Sequence, residues 1–383
     1  MTANQPAGCL PNPRQKLLLR AALSLGPEAV AAWERWEREG GLDHLDDGSF
    51  RLLPLVGGNL SAQGYRGPHS NRLKGIHRQA WSRNQVLFSQ VRPLLQAFHD
   101  AGTPVLLMKG AALASQVYPD TGCRPMRDID ILVPPAGARE LWEKLEAARW
   151  RALYWRPRSR SLPESFFRFR HAMDFEAPSG GRVDLHWHAL YLCCHPNGDE
   201  IFWEHARPME FLGIPLQTSS PTAHLLGICV HGIVWSETPP IRWVADSILL
   251  LRRFPGLDWE RLVRASLRLD VVPYVRRALE YLRSEFDAPV PAEVLATLSG
   301  AAVGAATSAE FARDSNPFTA RTAWQDLLPF YARWRRSLGG ASPLRHATGF
   351  VRHLEYAFEL ESAWALARHL TRSAFLRLAR RRP

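Results

Sequence analysis

The spacing of apolar residues divides the chain into two helical ends and a different middle. From Arg14 to about Gly102, apolar residues recur mostly every three to five positions, which is typical of amphipathic helices. The longest such segment, residues 73–101, contains Pro93, so we expect this helix to kink or to split in two there. After Pro221 the helical spacing returns and continues almost to the end of the chain. The pattern therefore predicts helical regions on both sides of a central segment.

The central segment mixes strand and helix patterns. Short apolar or alternating runs, typical of β-strands, occur at 104–108, 128–133, 171–177 and 182–188. Helical patterns follow the first two of these runs, and a Pro-Ser-Gly-Gly turn joins the last two, which predicts a β-hairpin. We therefore expect a strand–helix–strand–helix–hairpin unit, which is a small mixed sheet with helices packed on it.

Together the two patterns predict an α+β fold in three parts. Residues 1–102 would form an N-terminal helical region, residues 103–215 the sheet-containing core, and residues 216–383 a C-terminal helical domain. The composition agrees with a globular chain, because 46% of the 383 residues are hydrophobic and 22% are charged. These proportions exclude a mostly disordered chain, a collagen-like chain and a coiled coil.

The sequence does not resemble that of a membrane or secreted protein. No run approaches the roughly 18 uninterrupted apolar residues of a membrane span. The N-terminal stretch MTANQPAGCLPNP lacks the basic flank and the apolar core of a signal peptide. The five cysteines include no CxxC pair, which argues against a disulfide framework and against a thiolate zinc site. We therefore expect a cytoplasmic protein without a transmembrane segment.

The chain is basic. It has 48 Lys and Arg residues against 37 Asp and Glu, which gives a net charge of +11. A basic surface attracts nucleotides, nucleic acid or acidic peptides without choosing among them. The basic residues are dispersed among acidic ones and form no long stripe with interleaved aromatics, so we expect only weak RNA binding at physiological salt. Nucleic acid is therefore the less favoured of the candidate partners.

Three aspartates form the strongest candidate site. Asp128 and Asp130 are two residues apart on an expected strand, so both carboxylates project from the same face. Carboxylates this close repel unless a cation lies between them, and Mg²⁺ takes oxygen ligands together with substrate phosphates. Asp184, on the polar side of another expected strand, would supply a third carboxylate for phosphoryl or nucleotidyl transfer. The structural alternatives are a solvated strand face and, for Asp184, a salt bridge to Arg182.

Basic residues lie just before the aspartates. The first expected strand ends at Lys109-Gly110, where a helix begins, and a helix N-terminus with a residue that lacks Cβ can receive a phosphate. Arg124 and Arg127 bring further positive charge to the same point. We predict that these four residues contact phosphate, although the two arginines could equally neutralise the aspartates.

Two histidines alternate with the third aspartate. Asp184, His186 and His188 form an Asp-x-His-x-His pattern that could bind zinc on one strand face. A partner site with two carboxylates favours a hard ion instead. In that case His186 or His188 orients Asp184 or touches the substrate.

The residues around these aspartates resemble a known family. The stretch LLMKGAALASQVYPDTGCRPMRDIDILV is similar to the core motif of the bacterial uncharacterised nucleotidyltransferase family, within the polymerase-β-like nucleotidyltransferase superfamily. VDLHWHAL and HLLGICVHGIVW…IRWVADSILL are similar to further blocks of that family, so the resemblance covers roughly residues 50–255. Gly110 matches the glycine of the superfamily's Gly-Ser turn, although no serine follows it here. Asp128 and Asp130 match its Asp-x-Asp pair, and Asp184 matches its third carboxylate.

The resemblance implies an enzyme that transfers a nucleoside monophosphate from an NTP, with ATP expected, to a hydroxyl group and releases pyrophosphate. The implied ligands of Mg²⁺ or Mn²⁺, which are also the catalytic residues, are Asp128, Asp130 and Asp184. The residues expected at the nucleotide are Lys109, Gly110, Arg124, Arg127 and His186. The implied acceptor is a peptide or a small molecule, as in natural-product tailoring. The alternatives are a toxin-like enzyme that nucleotidylates RNA or protein, and a non-catalytic nucleotide-binding module, against which the intact carboxylate set argues.

Overall fold

The fold begins with a group of helices. The structure is a computed structural model, and it describes residues 9–153, 164–234, 240–316, 323–337, 349–351, 354–355, 360 and 362–379. The α-helices before the sheet are Pro13–Leu23 (α1), Pro27–Arg38 (α2), Asp47–Phe50 (α3), Leu53–Ala62 (α4) and Ser70–Asp100 (α5). The first of them starts at a capping box, in which Asn12 and Gln15 each accept a hydrogen bond from the other's backbone N–H.

Helix α5 is continuous over its 31 residues, with Pro93 inside it. The expectation that the proline could split the helix in two is therefore wrong. Val91 and Leu95, on either side of Pro93, are fully buried against the sheet. Because a proline inside a helix costs about 3 kcal/mol, we attribute the continuity to this burial of the apolar stripe.

A single sheet occupies the middle of the described chain. Its strands are Leu106–Leu107 (β1), Ile129–Leu132 (β2), Arg151–Ala152 (β3), Ala172–Glu176 (β4), Arg182–His186 (β5), Arg207–Phe211 (β6) and Ile214–Thr218 (β7). Their order is β3-β4-β5-β2-β1-β7-β6. The pairs β2–β5 and β1–β7 are parallel and the others antiparallel, so the sheet is mixed. The predicted fold class, a mixed sheet between helical regions, is confirmed.

The hairpin predicted from the Pro-Ser-Gly-Gly turn is present as β4 and β5. The hairpin of β6 and β7 was not predicted, although β7 alternates between buried and exposed residues. Its parallel pairing with β1 continues the sheet to Thr218, which lies beyond the expected end of the core at residue 215. Strand β3, of only two residues, is too short to leave a pattern in the sequence.

Helices connect the strands and follow the sheet. Those between strands are Lys109–Gln116 (α6), Ala138–Ala147 (α7), Glu164–Phe169 (α8) and Glu200–Trp203 (α9). Those after the sheet are Pro221–Gly232 (α10), Arg242–Arg253 (α11), Trp259–Arg268 (α12), Val272–Phe286 (α13), Ala292–Gly300 (α14), Ala305–Ser315 (α15), Ala323–Ser337 (α16) and Ala363–Ala379. The helical region predicted after Pro221 is thus confirmed over the described residues.

The sheet separates two hydrophobic cores. Ile129, Ile131 and Val183 belong to the core between the sheet and helices α5 and α7. Since neighbouring residues of a strand point to opposite faces, Asp130 and Asp184 project from the other face. On that side lies the larger core, which includes residues of α6, α10 and α11. The aspartates are thereby held where the sheet meets the C-terminal helices.

Among the described residues, no single helix combines the length and the apolar character that crossing a membrane requires, and only the bent pair α14 and α15 meets that criterion jointly.

Candidate active site

Three carboxylates form a row across the sheet. Asp130 on β2 lies directly opposite Asp184 on β5, and Asp184 lies opposite Asp174 on β4. Like charges in directly opposed positions repel each other. Asp128 comes just before β2, and its electrostatic neighbours include Asp130 and Asp184. The structure therefore brings together all three of the predicted metal-binding aspartates, with Asp174 as an added fourth carboxylate.

Two cations lie among these carboxylates. Lys109 Nζ is 3.0 Å from Asp130 Oδ1 and 3.2 Å from His186 Nε2. His186 Nε2 is in turn 2.7 Å from Asp184 Oδ2 and 3.4 Å from Asp130 Oδ1. His186 is fully buried, whereas Lys109 is partly exposed. Lys109, which was predicted to contact phosphate, thus forms an ion pair with Asp130. The imidazole of His186 lies between Asp130 and Asp184 and contacts both carboxylates.

The pKa values of these groups follow from burial and from their partners. Burial would raise the pKa of Asp130, but Lys109 and His186 outweigh it and hold that pKa below its ordinary value. The pKa of Asp184 is lowered in the same way, by His186 and Lys109 against burial. Burial opposes protonation of His186, but Asp184 and Asp130 raise its pKa to about 9. At neutral pH both aspartates are therefore ionised and His186 is a cation.

The pKa values of Asp128 and Asp174 are raised, in contrast to those of Asp130 and Asp184. Burial, followed by the charges of Asp130 and Asp184, raises the pKa of Asp128 to about 6. Burial and the neighbouring Asp184 likewise raise the pKa of Asp174 to about 6. These two carboxylates carry negative charge that Lys109 and His186 do not fully compensate. A further cation near Asp128 would relieve that repulsion.

The turn that carries Lys109 is strained. Lys109 is the first residue of α6 and has φ = +40°, in the left-handed region that residues with a Cβ seldom adopt. Gly110, the next residue, was predicted to contact phosphate because it lacks a Cβ. A Cβ on Gly110 would lie 3.0 Å from Arg124 Nη1 and 3.3 Å from Met126 Sδ, so the glycine is needed for close packing. The residue with this strained backbone is thus the one whose ammonium group contacts Asp130.

Arg124 is buried, and its guanidinium group faces Asp246 on α11. Its Nε and Nη2 donate to Asp246 Oδ1 and Oδ2 at 2.8 and 2.9 Å, and Tyr118 Oη donates to Asp246 Oδ1 at 2.6 Å. Arg242 on the same helix donates from Nη1 to the carbonyl of Pro125 at 2.6 Å. These bonds fix the segment before Asp128 to the C-terminal helices. Arg127, in contrast, is exposed.

A cavity of about 360 Å³ opens beside Asp128 and Asp130. Its volume lies within the range of small-molecule sites. The basic residues that line it are Arg51, Arg83, Lys109, Arg124, Arg127 and Arg242. The N-terminal helices also contribute apolar and amide side chains to the lining, namely Phe50, Pro54, Ile76, Gln79 and Ala80. The sequence did not identify Arg51 and Arg83 as site residues, because only the folded arrangement of α3, α4 and α5 brings them to the aspartates.

The zinc pattern on β5 is not assembled as a set of three ligands. His188 Nδ1 is 2.7 Å from Asp199 Oδ2, and the other oxygen of Asp199 accepts from the backbone N–H of Ala189 at 2.7 Å. Among the described residues, the potential ligand atoms that cluster at the carboxylates belong to Asp130, Asp184 and His186, which all lie within 4.8 Å of one another. This cluster is dominated by oxygen donors, which Mg²⁺ prefers.

The sequence of the chain matches the model of a known protein family. The family model described as "uncharacterised nucleotidyltransferase" matches residues 49–306, and the chain belongs to this family. A crystal structure of an antigenic nucleotidyltransferase-like protein from Paracoccidioides brasiliensis is similar at 13% identity and a TM-score of 0.34, over 58% of this chain and 96% of that one. No curated protein matches the chain.

Proposed function

We propose that this protein is a Mg²⁺-dependent nucleotidyltransferase that moves a nucleoside monophosphate from an NTP to a hydroxyl group of an acceptor. The observation that carries the proposal is the juxtaposition of Asp128, Asp130 and Asp184 with an arginine-lined cavity. Clustered carboxylates alone would repel a triphosphate, and arginines alone would bind it without activating it. The combination suits an enzyme that binds a polyphosphate and a divalent cation together.

The donor set fits a divalent metal ion. Asp130 and Asp184 offer carboxylate oxygens within 4.8 Å of each other, and the raised pKa of Asp128 reflects negative charge that lacks a full counter-charge. We propose these three aspartates as the ligands of Mg²⁺, or of Mn²⁺. The ion would neutralise phosphate charge and make the acceptor hydroxyl easier to deprotonate.

The triphosphate would lie in the arginine-lined cavity. Lys109 is attached to a helix N-terminus, which attracts anions. Burial and the charge of Arg127 lower the pKa of Arg51, an indication of how closely the cations are crowded there. A polyphosphate would relieve that crowding. The apolar and amide side chains of the same cavity, including Phe50 and Gln79, would then contact the nucleoside, and ATP is the expected nucleotide.

In the proposed reaction the acceptor oxygen attacks the α-phosphorus. The new O–P bond forms as the bond from the α-phosphorus to the bridging oxygen breaks, and pyrophosphate leaves with that electron pair. Asp184 receives the proton of the hydroxyl group, and His186, hydrogen-bonded to Asp184, keeps its carboxylate oriented. We propose a peptide or a small molecule as the acceptor, with natural-product tailoring as the biological role.

Nucleotide binding with and without metal tests this proposal. Titration calorimetry with each of the four NTPs should show at least tenfold weaker binding in excess EDTA than in Mg²⁺. The carboxylates around Asp130 carry more negative charge than Lys109 and His186 compensate, and without a metal ion this excess charge repels the triphosphate. Incubation with labelled NTP, Mg²⁺ and cell extract, followed by mass spectrometry, should reveal an adduct of nucleotide mass. Equal affinity for NTP in Mg²⁺ and in EDTA would contradict the proposal.

A further inference from the structure

A second group of potential metal ligands lies outside the proposed active site. It consists of His77 on α5, Asp120, and Cys123 at the end of the short 3-10 turn Thr121–Cys123. Each side chain offers one ligand atom, and these atoms all lie within 4.8 Å of one another. None of the three residues lines the arginine-lined cavity. The group is therefore separate from the aspartates that we propose as ligands of Mg²⁺.

The distances within this group are close to those between the ligands of a zinc ion. His77 Nε2 is 2.9 Å from Asp120 Oδ1 and 3.1 Å from Oδ2. Cys123 Sγ is 3.6 Å from the same Oδ2. Zinc bonds of about 2.0–2.1 Å to nitrogen and oxygen and of about 2.3 Å to sulfur place tetrahedral ligand atoms roughly 3.3–3.6 Å apart. Small rotations of the side chains would therefore admit an ion.

The turn itself brings the ligand atoms together at Gly122. A Cβ on Gly122 would lie 2.8 Å from His77 Nε2 and 2.9 Å from Asp120 Oδ1, which is closer than Cβ atoms approach in real proteins. The backbone N–H of Gly122 donates to Asp120 Oδ1 at 2.6 Å and fixes that oxygen. The other oxygen, Oδ2, is the one that faces both His77 and Cys123. The glycine thus allows an approach of histidine to aspartate that any other residue would prevent.

The surroundings of Cys123 argue against a reactive thiol. The residue is only 2% exposed. Burial and the negative charge of Asp120 raise the pKa of its thiol to about 12, so the thiol is protonated at neutral pH. A protonated thiol is a poor nucleophile, whereas a bound metal ion brings the positive charge that deprotonates it. One thiolate and one carboxylate would then balance the two charges of a divalent ion, with the imidazole neutral.

We propose that His77, Asp120 and Cys123 bind Zn²⁺, which joins helix α5 to the turn before Arg124. His77 Nε2, a carboxylate oxygen of Asp120 and Cys123 Sγ bond to the ion, the thiol proton passes to water, and a water molecule completes the tetrahedron. Zinc accepts this mixture of sulfur, nitrogen and oxygen ligands, whereas Mg²⁺ requires oxygen ligands. The inference goes beyond the proposed nucleotidyl transfer and does not depend on it.

The proposed ion would add to an existing attachment of the same segment. Asn84 Nδ2 donates to the carbonyls of Thr121 and Arg124 at 2.6 and 2.9 Å, and the backbone N–H of Met126 donates to Asn84 Oδ1 at 3.0 Å. His77 lies about two helical turns before Asn84 on α5. No CxxC pair indicates the site, because its single thiolate is combined with a histidine that is 43 positions from the aspartate.

Cobalt(II) is a suitable probe, because it adopts the geometry of zinc and its bond to a thiolate gives an intense charge-transfer absorption band. Titration of the whole metal-free chain with Co²⁺ should produce this band with one equivalent. Zn²⁺ should abolish the band with a dissociation constant on the order of 1 µM. Excess Mg²⁺ should leave it unchanged, because Mg²⁺ does not take thiolate ligands. Among the described residues the other cysteines belong to no such group of ligands, so the band reports Cys123.

Three variants each remove one ligand. Cys123→Ser should abolish the charge-transfer band. His77→Gln and Asp120→Asn should weaken Co²⁺ binding at least tenfold. Asp120→Asn keeps an oxygen that can accept from the backbone N–H of Gly122, so it removes the charge and preserves the turn. If Cys123→Ser fails to fold, the other two variants decide, because they change partly exposed side chains.

Cys194→Ser and His99→Gln lie outside this group and are the matched controls, which should bind Co²⁺ as the wild type does. In saturating Mg²⁺, added Zn²⁺ should raise the thermal midpoint of the wild type but not that of His77→Gln. Absence of the charge-transfer band, or a band that persists in Cys123→Ser, would overturn the inference. Wild-type Co²⁺ affinity in both His77→Gln and Asp120→Asn would overturn it as well. None of these results bears on Mg²⁺-dependent NTP binding, so the proposed function is tested separately.

Discussion

Asp130 and Asp184 lie directly opposite each other on the parallel strands β2 and β5, and the imidazole of His186 contacts both carboxylates. Opposed carboxylates in a buried position are tolerated only with counter-charge, and here Lys109 and His186 provide it. The protein thus carries its own cations at the point where we propose metal and triphosphate binding. Mutations at this point should separate residues that bind the nucleotide from residues that act on the acceptor.

The first prediction concerns Asp184. Asp184→Asn keeps the shape of the side chain and removes its charge, so it should abolish transfer and leave NTP affinity within a few-fold. Asp130→Asn should lower both the rate of transfer and the affinity for NTP, because the ion that accompanies the triphosphate loses a ligand. The measurement is turnover against calorimetric NTP affinity for each variant, once an acceptor is known.

Glu176→Gln is a suitable control for these variants. Glu176 lies on β4 but pairs with Arg151 and Arg182, so the substitution should change neither turnover nor affinity. Arg182, the alternative partner considered for Asp184, forms an ion pair with Glu176, and Asp184 pairs with His186. Full activity of Asp184→Asn would show that another carboxylate accepts the proton, and Asp174, opposite Asp184, would be the next candidate.

The second prediction is that Arg124 stabilises the fold, whereas Arg127 binds the nucleotide. Arg124→Met leaves Asp246 buried without its partner, and loss of one member of a buried ion pair costs about 3–5 kcal/mol. Arg124→Lys should rescue only part of this loss, because an ammonium group cannot donate to both carboxylate oxygens in the same geometry. Arg127→Met, at an exposed position, should leave the unfolding free energy unchanged and weaken NTP binding.

Urea denaturation and calorimetry of the three arginine variants give the two quantities needed. If Arg124→Met were as stable as the wild type, the bond to Asp246 would not hold the segment before Asp128 in place. If Arg127→Met bound NTP as tightly as the wild type, this arginine would not contact phosphate.

The third prediction uses the strained backbone of Lys109. Lys109→Ala and Lys109→Gly both remove the ammonium group, so both should weaken NTP binding to a similar extent. Only glycine adopts φ = +40° without strain, so Lys109→Gly should be about 1 kcal/mol more stable than Lys109→Ala. Thermal or urea unfolding of the two variants measures this difference. Equal stabilities would mean that the turn relaxes when the lysine is removed.

The sequence was informative about this site where a local pattern determines geometry. The alternation at 128–133 indicated that Asp128 and Asp130 share a face, and the Pro-Ser-Gly-Gly turn indicated the hairpin that carries Asp184. The direct pairing of β2 with β5 was not predictable in this way, because parallel strands far apart in the chain leave no mark of their register. The same holds for the ion pair of Arg124 with Asp246, which joins residues 122 positions apart.

Other features had no local signal at all. Arg51 and Arg83 read as ordinary basic residues on helices, and only the packing of the N-terminal helices turns them toward the aspartates. The sequence did not indicate the left-handed conformation of Lys109, nor the close approach of Arg124 and Met126 to Gly110. The positions of the two arginines and the packing at the Lys109-Gly110 turn depend on contacts between segments that are distant in the sequence, and local patterns do not show such contacts.

The last prediction concerns acid stability and His224. His224 Nε2 is 2.9 Å from Thr218 Oγ1, and the Thr218 hydroxyl donates to the carbonyl of Leu107, so the neutral imidazole donates to Thr218. Burial lowers the pKa of His224 from 6.5 to about 4. Between these values the unfolded chain binds a proton that the folded protein does not, so stability falls as the pH drops from about 6.5 to about 4. From pH 7 to pH 5 this single group should cost about 2 kcal/mol.

His224→Gln tests this directly, because a glutamine amide can donate to Thr218 and does not titrate. Urea denaturation at pH 7, 6 and 5 should show a shallower loss of unfolding free energy in the variant, by about 2 kcal/mol over that range. His99→Gln, at an exposed position on α5, is the matched control and should follow the wild-type curve. Parallel curves for His224→Gln and the wild type would mean that His224 is protonated as readily in the folded protein as in the unfolded chain, and that the acid sensitivity arises elsewhere.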